Sequence, residues 1–528
     1  MKAVIMAGGE GSRLRSISGD LPKPMVAVCG KPILQYQIEN LRENGIRDII
    51  LVIGHLGQAI RDYFGDGSAF DVRIRYYFED HPMGTAGALY ELREALSEDF
   101  LLLMGDLMLD VDFQRFAAFH KGCGGLVTLF VHPNAHPYDS DIIETDTEEA
   151  LSDYDEAHCG ETVFLNHLQK NSHAEAQSRE AQDMGNHPSQ SGEADGYAHA
   201  RVTGVLGKKD ARPAYYHNQV NAGIYALSPK ALLRIRKPKS REQIEAELSE
   251  ARRENPALTG AEEKKILKSG KIDLDRDVIR PLIAEGQVYA CRSTEYVKDM
   301  GTPDRYEAVR HDLENGTVAS RNLKNPQKCI FLDRDGTINQ LNGFVSSPEE
   351  LKLIPGAAEA IARINRSEYL CIVITNQPVV ARGECSLSGL DCIHAKLETE
   401  LGKSGAYIDG LYFCPHHPDQ GFAGEVPELK FRCGCRKPKP GMLLKAAQVY
   451  HIDLKKSWFI GDSMQDIACG NAAGTRTALI SAEARGTGTE PTGGKSLKAG
   501  GGAEDAPAAD ILCGSLADAV SKIFDTAD

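Results

Sequence analysis

The chain has 528 residues, a formal net charge of −15, 42% hydrophobic and 26% charged residues. That length exceeds one ordinary core and implies about two to four domains, while the acidic balance argues against a nucleic-acid-binding face and leaves phosphate ligands to local basic sites. No run of about 18 apolar residues is present to span a bilayer, and the start MKAVIMAGG leads straight into glycines, unlike a signal peptide, so the expectation is a cytoplasmic protein with no membrane partner.

From Lys2 to about Phe130, the apolar runs KAVIMAG, DIILVIG, DFLLLMGD and GLVTLFV alternate with helical patterns such as PILQYQIENLRENG. This alternation predicts a parallel sheet flanked by helices. Residues 147–200 are polar and aperiodic, and are expected to be a surface insertion. Order returns with RVTGVLGKK and NQVNAGIYALS, then a charged helical stretch from Ser240 to Gly270, then a strand, loop and closing helix. A polar segment, 317–327, is expected to be a linker. A second strand and helix series follows, through CIFLDRDG, YLCIVITNQ and SWFIGDS, with a glycine-rich loop before the last strand ADILC and helix SLADAVSKIF. No fixed-period repeat relates the halves, so two different α/β domains are expected, 1–316 and 328–528.

After the first strand, MAGGEGSRLRSISGDLPKPM offers Gly8, Gly9 and Gly11, whose backbone can approach a phosphate, with Arg13 and Lys23 as positive charge. It is neither the Rossmann fingerprint nor a Walker A loop. Taken alone, such a loop is equally well a structural turn.

Four further segments follow in order: MGTAGAL (Met83–Leu89), LMGDL (Leu103–Leu107), VNAGIY (Val220–Tyr225) and VKDMGTPDRY (Val297–Tyr306). With the glycine loop they resemble the signature of the sugar-1-phosphate nucleotidyltransferases. The resemblance implies a Rossmann-like mixed sheet and an in-line attack of a sugar phosphate oxygen on the α-phosphorus of GTP or a related nucleoside triphosphate. Such a reaction needs alignment and charge neutralisation more than covalent help. By the resemblance, Gly8, Gly9, Gly11 and Arg13 hold the triphosphate, Lys23 lies on the α-phosphate, and Gly84, Thr85, Ala86 and Gly87 approach the nucleoside. Asp106 and Asp299 share Mg²⁺, while Lys208 and Asn221 meet the sugar phosphate. Many relatives carry Glu-Lys-Pro where this chain reads LGKKDARP, so Lys208 takes the lysine's role and the sugar contacts stay open. HPNAHPYDSD and YYHNQVNAGIYALSP resemble the heptose-1-phosphate guanylyltransferase branch, and the choice of GTP rests on that likeness.

FLDRDGTIN, Phe331–Asn339, puts two carboxylates one residue apart at a strand end, where uncompensated charge is costly. Alternate residues of an extended segment point the same way, so Asp333 and Asp335 can face one pocket. The D-x-D-G-T spacing resembles motif I of the haloacid dehalogenase phosphohydrolases, and VITNQ, CRKPKPGML and FIGDSMQDIACGNAAG follow in the family's order. The resemblance implies a parallel Rossmannoid sheet with Asp333 as nucleophile and Asp335 as acid and base. It further implies Thr375 and Asn376 as phosphate donors, Lys437 as the neutralising charge, Asp333, Asp335 and Asp462 at Mg²⁺, and Asp466 as support or helix cap.

The 13 cysteines are an odd number without a secretion signal, which argues against a disulfide framework. Cys414-x-His416 and Cys433-x-Cys435 supply enough ligands for a closed tetrahedral zinc site. Their pattern is similar to the zinc loop of heptose-1,7-bisphosphate and histidinol phosphate phosphatases, which implies a structural Zn²⁺ pinning the loop of Arg436 and Lys437.

Together the two resemblances imply consecutive steps on sugar phosphates: removal of the 7-phosphate of a heptose 1,7-bisphosphate, then formation of GDP-heptose. Two alternatives stand beside this. One is a mannose-1-phosphate guanylyltransferase fused to a histidinol-phosphatase-like domain; the other makes one domain a silent regulatory module.

Overall fold

A computed structural model describes residues 1–8, 17, 19, 21–54, 56–146, 200–255, 258–341, 343–481 and 508–526. Gly9, Gly11 and Arg13, all but the last residue of the 147–200 insertion, and the glycine-rich loop before the last strand lie outside the described residues.

The N-terminal half is built on a nine-stranded sheet. Edge to edge its strands are Arg73–Phe78, Asp48–Ile53, Lys2–Met6, Phe100–Met104, Val220–Leu227, Val127–His132, Val288–Arg292, Ala200–Leu206 and Ile142–Thr145. The first four are mutually parallel, and Val220–Leu227 runs antiparallel to both neighbours, making the sheet mixed as expected. Strands such as KAVIM, apolar after Lys2, and FLLLM run nearly unbroken in apolar residues because both faces are covered. Ile5, Leu51, Leu101 and Leu103 pack with Ile38, Phe113 and Phe116 on one side, and Val4, Ile50, Val52 and Leu102 pack with Leu89 and Leu282 on the other. A separate ribbon pairs Leu107–Asp110 with Tyr296–Asp299, setting Asp299 opposite Leu107.

The charged stretch after Ser240 forms two helices, Arg241–Glu254 and Gly260–Ser269, each opened by a capping box, Ser240 with Gln243 and Thr259 with Glu262. Pro256 follows Asn255 in the sequence, and a pre-proline residue disfavours helix; Asn255 is extended.

Segment 317–327 is tightly packed. It contains a helical turn, Thr317–Ser320, and buries Val318, Arg321, Asn322, Leu323 and Gln327. Gln327 Nε2 donates to the carbonyls of Ser320, Asn322 and Asn325 at 2.8–3.0 Å. Asn322 Nδ2 reaches back to Asp110 Oδ1 at 2.6 Å, while Arg321 donates forward to the Tyr369 carbonyl at 2.9 Å.

Among the described residues the C-terminal half has six parallel strands in the order Gly410–Cys414, Tyr369–Asn376, Lys328–Leu332, Trp458–Gly461, Arg476–Ile480 and Ile511–Cys513. Helices Ala357–Asn365, Leu387–Lys403 and Leu516–Asp525 cover one face, and Gly441–Tyr450 and Met464–Ala473 the other. The carboxyl ends of the three central strands lead directly into Asp333, Gln377 and Asp462, the usual position for a site in such a sheet.

Candidate active sites

At the C-terminal sheet, Lys437 is the centre of the charge arrangement. Its Nζ lies 2.6 Å from Asp333 Oδ1 and 2.6 Å from Asp466 Oδ1, and it donates to the Ile374 carbonyl at 3.0 Å. Lys437 is 4% exposed, Asp333 7% and Asp466 1%, so each charge depends on the others. The Asp333 carboxyl is pushed up by burial and by Asp466, against the opposing pull of Lys437. Asn376 fixes the backbone bearing Lys437: its Oδ1 accepts from Lys437 N at 3.1 Å and its Nδ2 donates to Lys437 O at 3.2 Å.

Asp333, Asp462 and Asp466 bring carboxylate oxygens within 4.8 Å of one another, a hard-oxygen set suited to Mg²⁺. The Asp335 side chain, expected there from the motif, instead accepts from Arg334 Nη2 at 2.9 Å, Asn339 Nδ2 at 2.9 Å and Gln377 Nε2 at 2.8 Å. Burial alone would raise its pKa, but Arg334 and these hydrogen bonds hold the carboxyl below its ordinary value. It therefore rests as a carboxylate. Gln377 Nε2 also donates to Thr375 Oγ1 at 2.8 Å, joining Thr375 to Asp335. Gly336 has φ 87°, and a Cβ there would come within 1.9 Å of Asp462 Oδ2, so the turn after the aspartates admits only glycine. Asp466 also caps its own helix, accepting from Ser463 N at 3.1 Å.

The four soft ligands converge. The sulfurs of Cys414, Cys433 and Cys435 are 3.2–3.5 Å apart, and His416 Nδ1 is 3.5 Å from Cys414 Sγ and 3.4 Å from Cys435 Sγ. A tetrahedron with metal–sulfur bonds of about 2.3 Å has edges of about 3.8 Å, close to this cluster. His417 turns away, its ring edge against Phe422. Arg436 is anchored to the cluster: its amide donates to Cys433 Sγ at 3.3 Å and its Nη1 to the His416 carbonyl at 3.1 Å. Lys437, next in sequence, points its ammonium at Asp333.

In the N-terminal half, Lys23 sits on the 3₁₀ turn Lys23–Met25 and forms an ion pair with Asp106. Met300 N donates to the Asp106 carbonyl at 3.2 Å, bringing the end of the Tyr296–Asp299 strand beside it. Burial would raise the Asp299 carboxyl, but Arg305 Nη1, at 2.8 and 2.6 Å from its two oxygens, and the Gly301 amide hold it low. Two carboxylates, each paired with a cation of the chain, thus lie at the same end of the ribbon, Asp106 just before one strand and Asp299 at the end of the other.

The MGTAG turn is clipped to the segment 272–274. Ala86 N donates to Ile272 O at 3.0 Å, Ile272 N to Met83 O at 2.8 Å, and Leu274 N to Thr85 Oγ1 at 2.8 Å. Gly84 has φ 86° with Ile272 O 2.4 Å from where its Cβ would be, and Gly87 is as closely backed by Met83. Asn221 forms the bulge at the start of its strand, donating to Tyr225 Oη at 3.1 Å and accepting from Gly223 N at 3.1 Å.

Lys208 is exposed, and its amide donates to Asp141 Oδ1 at 2.9 Å. Arg212, four residues on, is better placed for an anion. It donates to the Ser140 carbonyl, its guanidinium lies 5.4 Å from the Tyr216 ring centre, and its Nε and Nη1 are buried without a partner. The Arg212-Pro213 dipeptide, basic residue then proline, was the available signal. Glu79 lies in none of the sequence motifs. Its Oε1 is buried and unpaired, and a Cβ on Gly8 would lie 3.1 Å from its Oε2.

The nucleotidyl transferase family model matches residues 2–316, more than half of the chain. The chain belongs to the nucleotidyl transferase family. A HAD-hydrolase-like model matches residues 434–495. The D-glycero-beta-D-manno-heptose-1,7-bisphosphate 7-phosphatase of Salmonella typhi is 35% identical over 195 residues, covering 37% of this chain and 94% of that protein. The Rhodopseudomonas palustris protein of the same name is 41% identical over 146 residues, covering 28% of this chain and 79% of its own. Among solved structures, the D,D-heptose 1.7-bisphosphate phosphatase from B. bronchiseptica, complexed with magnesium and phosphate, is 31% identical, covering 38% of this chain and 99% of that one with a TM-score of 0.30. HddC from Yersinia pseudotuberculosis, complexed with GMP-PN, is 18% identical, covering 59% and 99% with a TM-score of 0.36. This nucleotidyl transferase family member thus joins a nucleotidyltransferase domain to a phosphatase domain. Among the described residues no helix is long and apolar enough to cross a membrane.

Proposed function

We propose that the chain removes the 7-phosphate of D-glycero-D-manno-heptose 1,7-bisphosphate and then transfers GMP from GTP to the heptose 1-phosphate, releasing pyrophosphate. The observation that carries this is the buried Asp333, Lys437 and Asp466 array at the strand ends, within a segment covering 94% of a heptose bisphosphate phosphatase. The product of that hydrolysis has the chemistry the family's transferases consume.

In the first step an Asp333 oxygen attacks the 7-phosphorus, the bond from phosphorus to the sugar oxygen breaks, and Asp335 supplies the proton to that oxygen. Asp335 rests ionised, so it takes up that proton as the anionic phosphoryl group enters beside it and raises its pKa. In the second step Asp335 removes a proton from water, which attacks the aspartyl phosphate and frees Asp333. Lys437 neutralises Asp333 and the phosphoryl oxygens, and Asn376 and Thr375 orient them. Mg²⁺, held by Asp333, Asp462 and Asp466, would supply further charge neutralisation there. A zinc ion on Cys414, His416, Cys433 and Cys435 would be structural, since four protein ligands leave no open position.

In the transferase, Lys23 faces the α-phosphate, and Asp106 and Asp299 would hold Mg²⁺. Arg212, with two unpaired buried nitrogens, receives the sugar phosphate. Glu79 supports guanine, whose N1–H and N2–H₂ present adjacent donors to an unpaired carboxylate oxygen. The direct test compares phosphate release from heptose 1,7-bisphosphate and from histidinol phosphate, and GTP with ATP and UTP in pyrophosphate release. Preference for histidinol phosphate, or for another triphosphate, contradicts the proposal.

A further inference from the structure

The transferase segment 212–219 has no strand or helix of its own, so its backbone donors need partners from elsewhere. They find them on the phosphatase helix Leu387–Lys403. Tyr216 N donates to Thr399 Oγ1 at 2.9 Å, and Asn218 N donates to Glu398 Oε2 at 2.8 Å. His217 lies between two carboxylates, with Nδ1 2.9 Å from Glu398 Oε1 and Nε2 3.1 Å from Asp391 Oδ1. With both ring nitrogens on carboxylates it is an imidazolium. Glu398 is 4% exposed and Asn218 1%, so the hydrogen bond between them is shielded from water, while Asp391 lies at the exposed rim of the contact.

The helix is packed from behind. Leu390, Ile393, Leu397 and Leu401 are buried in the phosphatase core, and the opposite face carries Asp391, Glu398, Thr399 and Gly402 at helical spacing. A Cβ on Gly402 would lie 2.8 Å from Pro137 Cγ, so the same face also seats the turn Pro137–Asp139. Asn218 carries the contact inward: its Oδ1 accepts from Asn134 N at 3.1 Å and its Nδ2 donates to Asn134 O at 2.7 Å. Arg212 and Asn221 flank the clamped segment, and Arg305, which grips Asp299, lies 3.7 Å from Asp139.

We propose that the phosphatase helix Leu387–Lys403 is a positioning element of the transferase, with Glu398 and Thr399 fixing the segment that forms the sugar-phosphate side of that site. The proposal rests on the transferase assignment above. Neither residue touches the reacting atoms; both act through the 212–221 backbone. The nucleotide side, built on the MGTAG turn and the segment 272–274, has its own support and is independent of them.

The test uses the full chain. Glu398→Ala and Thr399→Val are expected to raise the KM for sugar 1-phosphate by about tenfold or more, the effect of losing one or two buried hydrogen bonds, one of them to a charged group. The KM for GTP and the phosphatase kcat should stay within about twofold, and Thr399→Ser, which keeps the hydroxyl, should restore the wild-type KM. Hydrogen exchange, measured without substrate, should speed up over 212–221 in the two damaging variants and stay unchanged over 272–284. An unchanged sugar-phosphate KM with unchanged exchange overturns the proposal, as does an equal loss of sugar, GTP and phosphatase function. A wild type inactive in nucleotidyl transfer would refute the assignment beneath it, and the exchange result would still decide whether the helix holds the segment.

Discussion

Lys437 Nζ and Asp333 Oδ1 are 2.6 Å apart in a buried site, and the same ammonium is equally close to Asp466. One cation thus holds together carboxylates that would otherwise repel one another in a poorly solvated pocket. Replacing Lys437 with Met leaves those charges unpaired. The expected results are a loss of about 10²- to 10³-fold in phosphate release and about 3–5 kcal/mol of domain stability. Added Mg²⁺ should recover more melting temperature in the variant than in wild type, because a cation among Asp333, Asp462 and Asp466 replaces the missing charge. Turnover should not return. Phosphate release at the wild-type rate would remove Lys437 from the site.

The cluster of Cys414, His416, Cys433 and Cys435 predicts about one zinc per chain in purified protein. Cys433→Ser should release it, and phosphatase activity should fall because Arg436 is tied to Cys433 Sγ and the His416 carbonyl. Elemental analysis beside both activity assays checks this. Full phosphatase activity in a zinc-free protein would return these cysteines to ordinary buried thiols.

Arg212 and Lys208 compete for one role. The unpaired, buried nitrogens of Arg212 predict that Arg212→Ala raises the KM for sugar 1-phosphate by about tenfold or more, the weight of a charged hydrogen bond. Lys208→Ala, at an exposed position, should change it by less than about twofold. The reverse ranking in steady-state kinetics would restore Lys208.

Glu295 gives a pH signature of stability. It is 5% exposed and accepts from Asp112 N at 2.7 Å and Leu323 N at 3.2 Å, joining the transferase to the strap 317–327. Burial pushes its carboxyl from an ordinary 4.5 up to about 7. The folded state therefore holds a proton that the unfolded state has released, so stability from this group falls as pH rises from about 4.5 to about 7. Glu295→Gln keeps a carbonyl acceptor and removes the titration. Its stability relative to wild type should increase across that window by up to about 3 kcal/mol. Parallel denaturation of the two proteins at pH 5 and pH 8 checks the sign, and a constant difference would contradict it.

The strands bearing the phosphatase chemistry were legible because fully covered parallel strands read as unbroken apolar runs, and the reactive residues follow them directly. Asp333, Asp462 and Lys437 came with their motifs. The part played by Asp466 stays open in the sequence because a helix cap and a metal-site carboxylate look alike there; in the structure it caps its helix, is the second partner of Lys437 and lies within the carboxylate cluster. The motif resemblance implies Asp335 at the metal, and in the structure its side chain is held by Arg334, Asn339 and Gln377. His217, Glu398 and Thr399 carry no local pattern. Their meeting depends on how two separately folded cores dock, which no periodicity encodes. The segment 317–327 reads as a linker in the sequence because its buried groups are mostly polar ones, satisfied in the structure by backbone carbonyls and distant side chains.

Two consecutive reactions in one chain are tested most directly by following phosphate and pyrophosphate together from heptose 1,7-bisphosphate and GTP. Wild type should release one phosphate and then one pyrophosphate per sugar. Asp333→Asn should release neither from the bisphosphate, yet should release pyrophosphate normally when given the 1-phosphate, and Asp106→Ala should release phosphate alone. Pyrophosphate formed from the bisphosphate by Asp333→Asn, or no phosphate release by wild type, would contradict the account.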